Sequence, residues 1–206
     1  MGKHTRTTLE PMQWWRKLCW VTPQIALSGD LPDGKAKHQA LDEWVSAGIT
    51  HIIDTRLESS DEQFVAEHAP QVGYSWVGVD DDGRRQPDHW FDEGVDAART
   101  ALAKPNGKIV VHCHMGVNRG PSMGFAAMIA HGIAPVEALG IIRAERPIAA
   151  VLYAGDAVDW WHRTSGSSPA AATAERSKVK AWMHANPIDT DWITSRIWRA
   201  ESGGRV

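Results

Sequence analysis

Residues 108–130 constrain this chain more than any other stretch. Residues 108–112 read Lys-Ile-Val-Val-His, with three β-branched apolar side chains in succession. That is the mark of a short strand buried on both faces. Residues 120–130 are apolar on nearly every side, so they form a helix with no face left for water. A doubly covered strand, joined by seven residues to a helix covered all round, fits a sheet with helices packed on it.

The preceding and following sequence repeats that alternation. Strands are predicted at 24–27, 50–54, 74–79 and 108–112, and helices at 35–47, 88–103, 120–130, 135–146 and 152–163. Leu41, Trp44 and Val45 share one side of the first helix, and Gly48 stops it. Asp88 is placed to cap the second, with Trp90, Phe91, Val95, Ala98 and Leu102 turned inward. Pro135 opens the fourth and Arg146-Pro147 ends it. The expectation is an α/β fold with a central, mostly parallel sheet of about four to five strands flanked by helices. In such folds ligands bind beyond the carboxyl ends of the strands, at strand-to-helix turns.

Composition narrows the function classes. A net charge of −3 over 206 residues lacks the basic footprint of a nucleic-acid binder. Two cysteines exclude a disulfide-built scaffold and a multi-cysteine zinc site, and the ten histidines show no zinc spacing. No metal or other cofactor is called for. No run reaches the roughly 18 apolar residues of a membrane span, and the first six residues lack a signal-peptide or myristoylation pattern. The reading is cytoplasmic, where a reactive thiol survives. Of the 11 tryptophans, Trp14, Trp15 and Trp20 lie near one end and Trp182, Trp192 and Trp198 near the other. Disordered tails are poor in aromatics. Both ends are therefore expected to bury these rings, on the domain or by self-association.

The turn after the central strand carries the chemistry. It reads His112-Cys113-His114-Met115-Gly116-Val117-Asn118-Arg119-Gly120. Successive backbone N–H groups in a tight turn make an anion-binding nest, and the following helix adds its free N–H groups and positive dipole end. Gly116 permits backbone geometry closed to other residues. Arg119 offers a planar fork for two phosphate oxygens. Cys113 sits at the floor of this positive bowl, where a thiol is favoured as thiolate and becomes a nucleophile beneath bound phosphorus.

His112-Cys113-x5-Arg119 resembles the signature of the cysteine-dependent protein tyrosine phosphatase superfamily, and the chain is similar to its dual-specificity branch over about 21–163. Leu27-Ser28-Gly29, Gly48 to Asp54 and Arg146-Pro147 extend the likeness. The resemblance implies a phosphotyrosine-phosphatase-like fold, and a phosphate cradle of His114, Met115, Gly116, Val117, Asn118 and Arg119. It also implies a general acid about thirty residues before the cysteine. Asp81 matches the family spacing, 7 after Tyr74, 9 before Trp90 and 32 before Cys113, with Asp80 next in line. His112 is assigned to organising the loop. The family's usual Ser or Thr after the arginine is Gly120 here. Breakdown of the intermediate is then expected to be slow, or Ser122 stands in. Arg84 and Arg85 flank the acid loop, and Cys19 reads as a packed thiol.

This gives an N-terminal Trp-rich extension (1–20), a catalytic domain (21–163), and a linker (164–173) leading into one or two amphipathic helices (164–206 in all). The implied activity is phosphomonoester hydrolysis through phosphocysteine, on a phosphorylated protein in the first place. The alternatives are a non-protein phosphate (RNA 5′ phosphate, phosphoinositide or a small ester), a phosphate-binding adaptor, and rhodanese-like sulfur transfer, which would need no Asp81.

Overall fold

A computed structural model of the chain describes residues 11–203. The targeting reading of residues 1–6, and the first half of the N-terminal extension, lie outside the described residues.

Five strands form one sheet in the order β1-β2-β5-β3-β4, from β1 (Cys19–Trp20), β2 (Ile25–Ser28), β3 (His51–Arg56), β4 (Gly73–Val79) and β5 (Ile109–His112). All neighbours are parallel except β1, a two-residue antiparallel edge on β2 that the sequence pattern did not signal. β5 lies between β2 and β3 and is buried at every position. The period-2 alternation of the strand divides its apolar residues between two cores. Leu27, Ile53 and Val111 face one; Ala26, Ile52 and Val110 face the other. Each such Val, Leu or Ile contributes about 1.5–3 kcal/mol by leaving water.

The first core is closed by α3 (Asp88–Leu102), α4 (Arg119–Ala130), α5 (Pro135–Glu145) and α6 (Ala154–Thr164). Nearly all of α4 is buried, as its all-round apolarity requires. The second core is closed by α1 (Lys35–Ser46), through Leu41 and Trp44, and by the short α2 (Glu62–His68), through Val65. The sequence pattern does not signal α2, since seven residues give too few turns for a clear period. Asp88 does not cap α3. Pro87 occupies the N-cap, and the Asp88 carboxylate pairs with Arg163 instead.

Two further helices complete the chain, α7 (Pro169–Ala185) and α8 (Thr190–Glu201). The linker expected at 164–173 is shorter than that. α6 runs through Thr164, Ser168 caps α7 by accepting from the Ala171 N–H at 3.2 Å, and Pro169 starts it. Proline at N1 and the alanines behind it favour helix over the Ser/Gly-rich coil the composition suggested. A third apolar cluster ties the two ends of the chain together. Trp15 packs with Val117, Ala150, Ile193 and Ile197. The expected burial of terminal tryptophans is met by Trp15 and partly by Trp14, Trp20 and Trp182, whereas Trp192 and Trp198 remain largely exposed.

Candidate active site

His112 ends β5 in register with Ser28 of β2 and Asp54 of β3, so the next loop leaves from the carboxyl ends of three parallel strands. Every carbonyl from residue 114 to 118 is tied to the scaffold. His114 O accepts from Asp30 N, Val117 O from Ala150 N, and Asn118 O from Ser122 N. Met115 O and Gly116 O accept from the guanidinium of Arg146. Among the described residues, no backbone N–H of this loop donates to a protein acceptor. With the carbonyls turned out to the scaffold, the N–H groups form the lining of a bowl. Asn118, the N-cap of α4, makes no side-chain cap bond, so the helix N-terminus adds its own unsatisfied donors.

Arg146 is the buried peg that fixes this shape. It also donates to Trp15 O and Lys17 O and reaches Cys19 Sγ at 3.5 Å, joining the loop to the N-terminal segment. Its complete burial lowers the guanidinium's proton affinity. Gly116 has φ +61°, and a β-carbon there would lie 2.1 Å from Arg146 Nη2 and 2.4 Å from Ser28 O. At Gly120 a β-carbon would come within 2.8 Å of the His112 carbonyl carbon. This backbone has no room for the family's Ser or Thr without a shift.

A cavity of about 450 Å³ opens above the loop, lined by Cys113, Arg119 and Asp81 among others. Glu58, which the sequence reading missed, grips Arg119 with both oxygens: Nη1 to Oε2 at 2.6 Å and Nη2 to Oε1 at 2.8 Å. Those hydrogen bonds hold the Glu58 carboxyl at about 2. Nη1 also donates to Val79 O. Arg119 Nε is buried and, among the described residues, has no hydrogen-bond partner; it lies 3.5 Å from Asp81 Oδ2 in an ion pair. The guanidinium is thus anchored along one edge, and its Nε edge faces Asp81 with no hydrogen bond made.

Asp81 Oδ1 accepts from Asn118 Nδ2 at 2.6 Å and from the Tyr153 hydroxyl at 2.8 Å. Burial, then the bond to Asp81, pushes the Tyr153 phenol up to about 12, so it acts as a neutral donor. Asn118 Oδ1 in turn accepts from Leu152 N and Ser122 Oγ. The residue between Ala150 and Leu152, Val151, has φ +53°, a left-handed conformation costly for a β-branched side chain. The strained turn thus docks on the phosphate loop and presents Tyr153 to Asp81.

Of the other sequence candidates, His114, Met115, Val117 and Asn118 also line this cavity, whereas Gly116, His112, Ser122, Asp80, Arg84 and Arg85 do not. Ser122 Oγ bonds Asn118 and the Tyr153 N–H, and among the described residues no hydrogen bond reaches Cys113 Sγ. Asp80 offers its backbone carbonyl to Gln86, and its carboxylate does not line the cavity. Arg84 and Arg85 pair with Asp82 and Asp88 in solvent. His112 is wholly buried beside Trp44, and burial lowers its pKa, so its ring is neutral. Its carbonyl accepts from Thr55 Oγ1, which orders the strand end. His114 lies at the rim with Nδ1 on Asp30 at 2.7 Å and Nε2 on Glu201 at 3.3 Å. The Asp30 hydrogen bond, outweighing partial burial, raises its pKa. Cys19 and Cys113 are both free thiols.

An anion bowl over a cysteine, at the carboxyl end of a central parallel strand, defines a phosphatase-type loop. The sequence matches the family described as dual specificity phosphatase, catalytic domain, over residues 34–151, more than half of the chain, and the chain belongs to that family. Dual specificity protein phosphatase 26 from Homo sapiens is 31% identical over 107 residues, covering 49% of this chain and 48% of that protein. Dual specificity protein phosphatase 13B from Homo sapiens is 28% identical over 111 residues, covering 50% and 54%. The chain thus spans about half the length of the curated relatives it matches. Among solved structures, the human tyrosine phosphatase-like serine/threonine/tyrosine-interacting protein superposes with a TM-score of 0.57 at 18% identity, over 72% of this chain and 98% of that one. PTPMT1 in complex with PI(5)P gives 0.55 at 18% identity, over 73% and 99%. The sheet and helix arrangement predicted from sequence is therefore the family's fold. No helix among the described residues is long and apolar enough to cross a membrane.

Proposed function

We propose that this chain is a cysteine-dependent phosphomonoester hydrolase whose first substrates are phosphorylated proteins. One observation carries the reading. Among the described residues, the loop 114–118 has its carbonyls tied off and its N–H groups unspent, beside Arg119 Nε, which makes no hydrogen bond and faces Asp81 at 3.5 Å. Buried donors left without acceptors are costly, and a phosphoryl group supplies the acceptors. An adaptor would need the bowl but not an acid, and Asp81 held over the same cavity supports catalysis.

In the first step the Cys113 thiolate attacks phosphorus in line. The S–P bond forms as the ester P–O bond breaks, and the Asp81 carboxyl gives its proton to the departing oxygen. In the second step Asp81, now a carboxylate, takes a proton from water as that water attacks phosphorus. The P–S bond breaks, and phosphate and thiolate are released. The loop N–H groups and Arg119 hold the three equatorial oxygens through both steps. His112 acts through the loop backbone. With Gly120 after Arg119, and the Ser122 hydroxyl engaged with Asn118, no hydroxyl from these two positions assists thiolate departure. Slow breakdown of phosphocysteine follows from that arrangement. A reducing, cytoplasmic setting suits two free thiols.

The test is turnover of an aryl phosphate by the wild-type chain, Cys113→Ser and Asp81→Asn across pH. Wild type should turn over with a rapid burst of product before a slower steady state. Cys113→Ser should be inactive, and Asp81→Asn should lose the basic limb of the profile. A wild-type chain that binds phosphate without turnover would replace this reading with the adaptor.

A further inference from the structure

α8 lies outside the residues matched by the family, yet it walls the catalytic cavity. Thr190, Thr194 and Trp198 fall at i, i+4 and i+8, one face of the helix, and all three line the cavity that holds Cys113 and Asp81. Ile193 and Ile197, on another face, are buried with Val117 of the phosphate loop and Ala150 of the strained turn. The helix is therefore seated on the loop itself. Its end is tied down by Glu201, which reaches His114 Nε2 and Arg16 Nη2, each at 3.3 Å.

Two large apolar side chains are left uncovered at this cavity. Trp198 is 57% exposed, with its ring 5.9 Å from His114, and Leu152 is 51% exposed. Exposed apolar surface beside convergent polar groups marks a ligand-contact surface. Of the wall's two hydroxyls, that of Thr194 gives its proton to its own helix, at Thr190 O, 2.9 Å away. The surroundings of the wall offer little to a second phosphate. The adjoining groove, which shares Glu58, His114 and Trp198 with the cavity, adds three carboxylates, Asp30, Asp33 and Glu201, and the guanidinium of Arg16 among the described residues.

We propose that Trp198 and Leu152 form a clamp for a flat aromatic leaving group. This makes the appended helix α8 a specificity element that selects aryl monophosphates over alkyl and multiply phosphorylated esters. The inference rests on the phosphatase reading for its substrate, and the experiment separates the two. Binding of phenyl phosphate, ethyl phosphate and a soluble phosphoinositide is measured by calorimetry on the full-length Cys113→Ser chain, with and without Trp198→Ala or Leu152→Ala. Turnover of the same esters is measured on the chain with Cys113 intact.

The Cys113→Ser chain should prefer phenyl over ethyl phosphate, and either second substitution should lower that preference about three- to tenfold, the range of an aromatic contact. Trp198→Phe should restore most of it. Both side chains are mainly solvent-exposed, so the variants should fold, which thermal melting checks. Equal affinity for phenyl and ethyl phosphate, tighter binding of the phosphoinositide, or a preference unchanged in both variants would overturn the clamp. Absent turnover with the aryl preference intact would overturn the phosphatase reading alone.

Discussion

Tyr153→Phe removes one hydroxyl and keeps a ring that packs edge-on against Trp90 at 6.1 Å. That hydroxyl donates to Asp81 Oδ1 at 2.8 Å and accepts from Gly83 N at 3.3 Å, fastening the acid loop to the start of α6. A hydrogen bond to a charged group contributes about 1.5–3 kcal/mol. The Asp81 side chain is 38% exposed, so solvent screening puts the value at the lower end. About 1.5 kcal/mol corresponds to roughly tenfold in rate. The loss should depend on the leaving group, because only a poor one needs Asp81's proton in the first step. We expect kcat/KM for phenyl phosphate to fall about tenfold. For an activated aryl ester whose phenoxide leaves unprotonated, the fall should stay within about twofold. The assay is initial-rate kinetics on both esters, with Asp81→Asn as reference. Equal losses on the two esters would mean that Tyr153 serves packing or binding, and the positioning role would be refuted. An unchanged phenyl phosphate rate would refute it too.

Two further outcomes follow from the same geometry. Gly116→Ala places a β-carbon 2.1 Å from Arg146 Nη2 in a left-handed residue. It should cost more than about 2 kcal/mol of stability in urea titrations and abolish vanadate inhibition, because Arg146 must leave the loop carbonyls. His114 has a raised pKa through Asp30 and Glu201, with Arg16 bound to the same two carboxylates. A raised folded pKa contributes stability that is complete below about 6.5 and fades as pH climbs through the folded value. Melting temperature should therefore drop on the alkaline side. Glu201→Gln, with one carboxylate fewer, should shrink that drop by about 1–3 °C in paired melts from pH 6 to 9. A drop of the same size in both chains would remove His114 as its source.

Much of the fold was legible because its constraints are local. The β-branched run at 109–111 and the apolar helix behind it have one stable placement, between covering layers, and the structure puts β5 and α4 there. Gly116 and Arg119 were readable for a similar reason, since a tight anion loop restricts residue types at fixed offsets along a few residues of chain. Asp81 needed the family spacing, with Asp80 its rival; of the two, Asp81 is the one that lines the cavity.

Glu58, Tyr153 and Trp198 carried no such signal. They lie 55 residues before, 40 after and 85 after Cys113 in the chain, and meet it only in space. A carboxylate in a loop, a tyrosine after a turn and a tryptophan on an amphipathic helix each have ordinary solvated or packed roles when read along the sequence. What the sequence determined by itself was the layer structure and the tight turn after β5 that carries Cys113, because short-range sterics and burial periodicity act between near neighbours. The tertiary structure alone decided what anchors Arg119, what holds Asp81, and which helix closes the cavity, because those contacts depend on how separate elements pack.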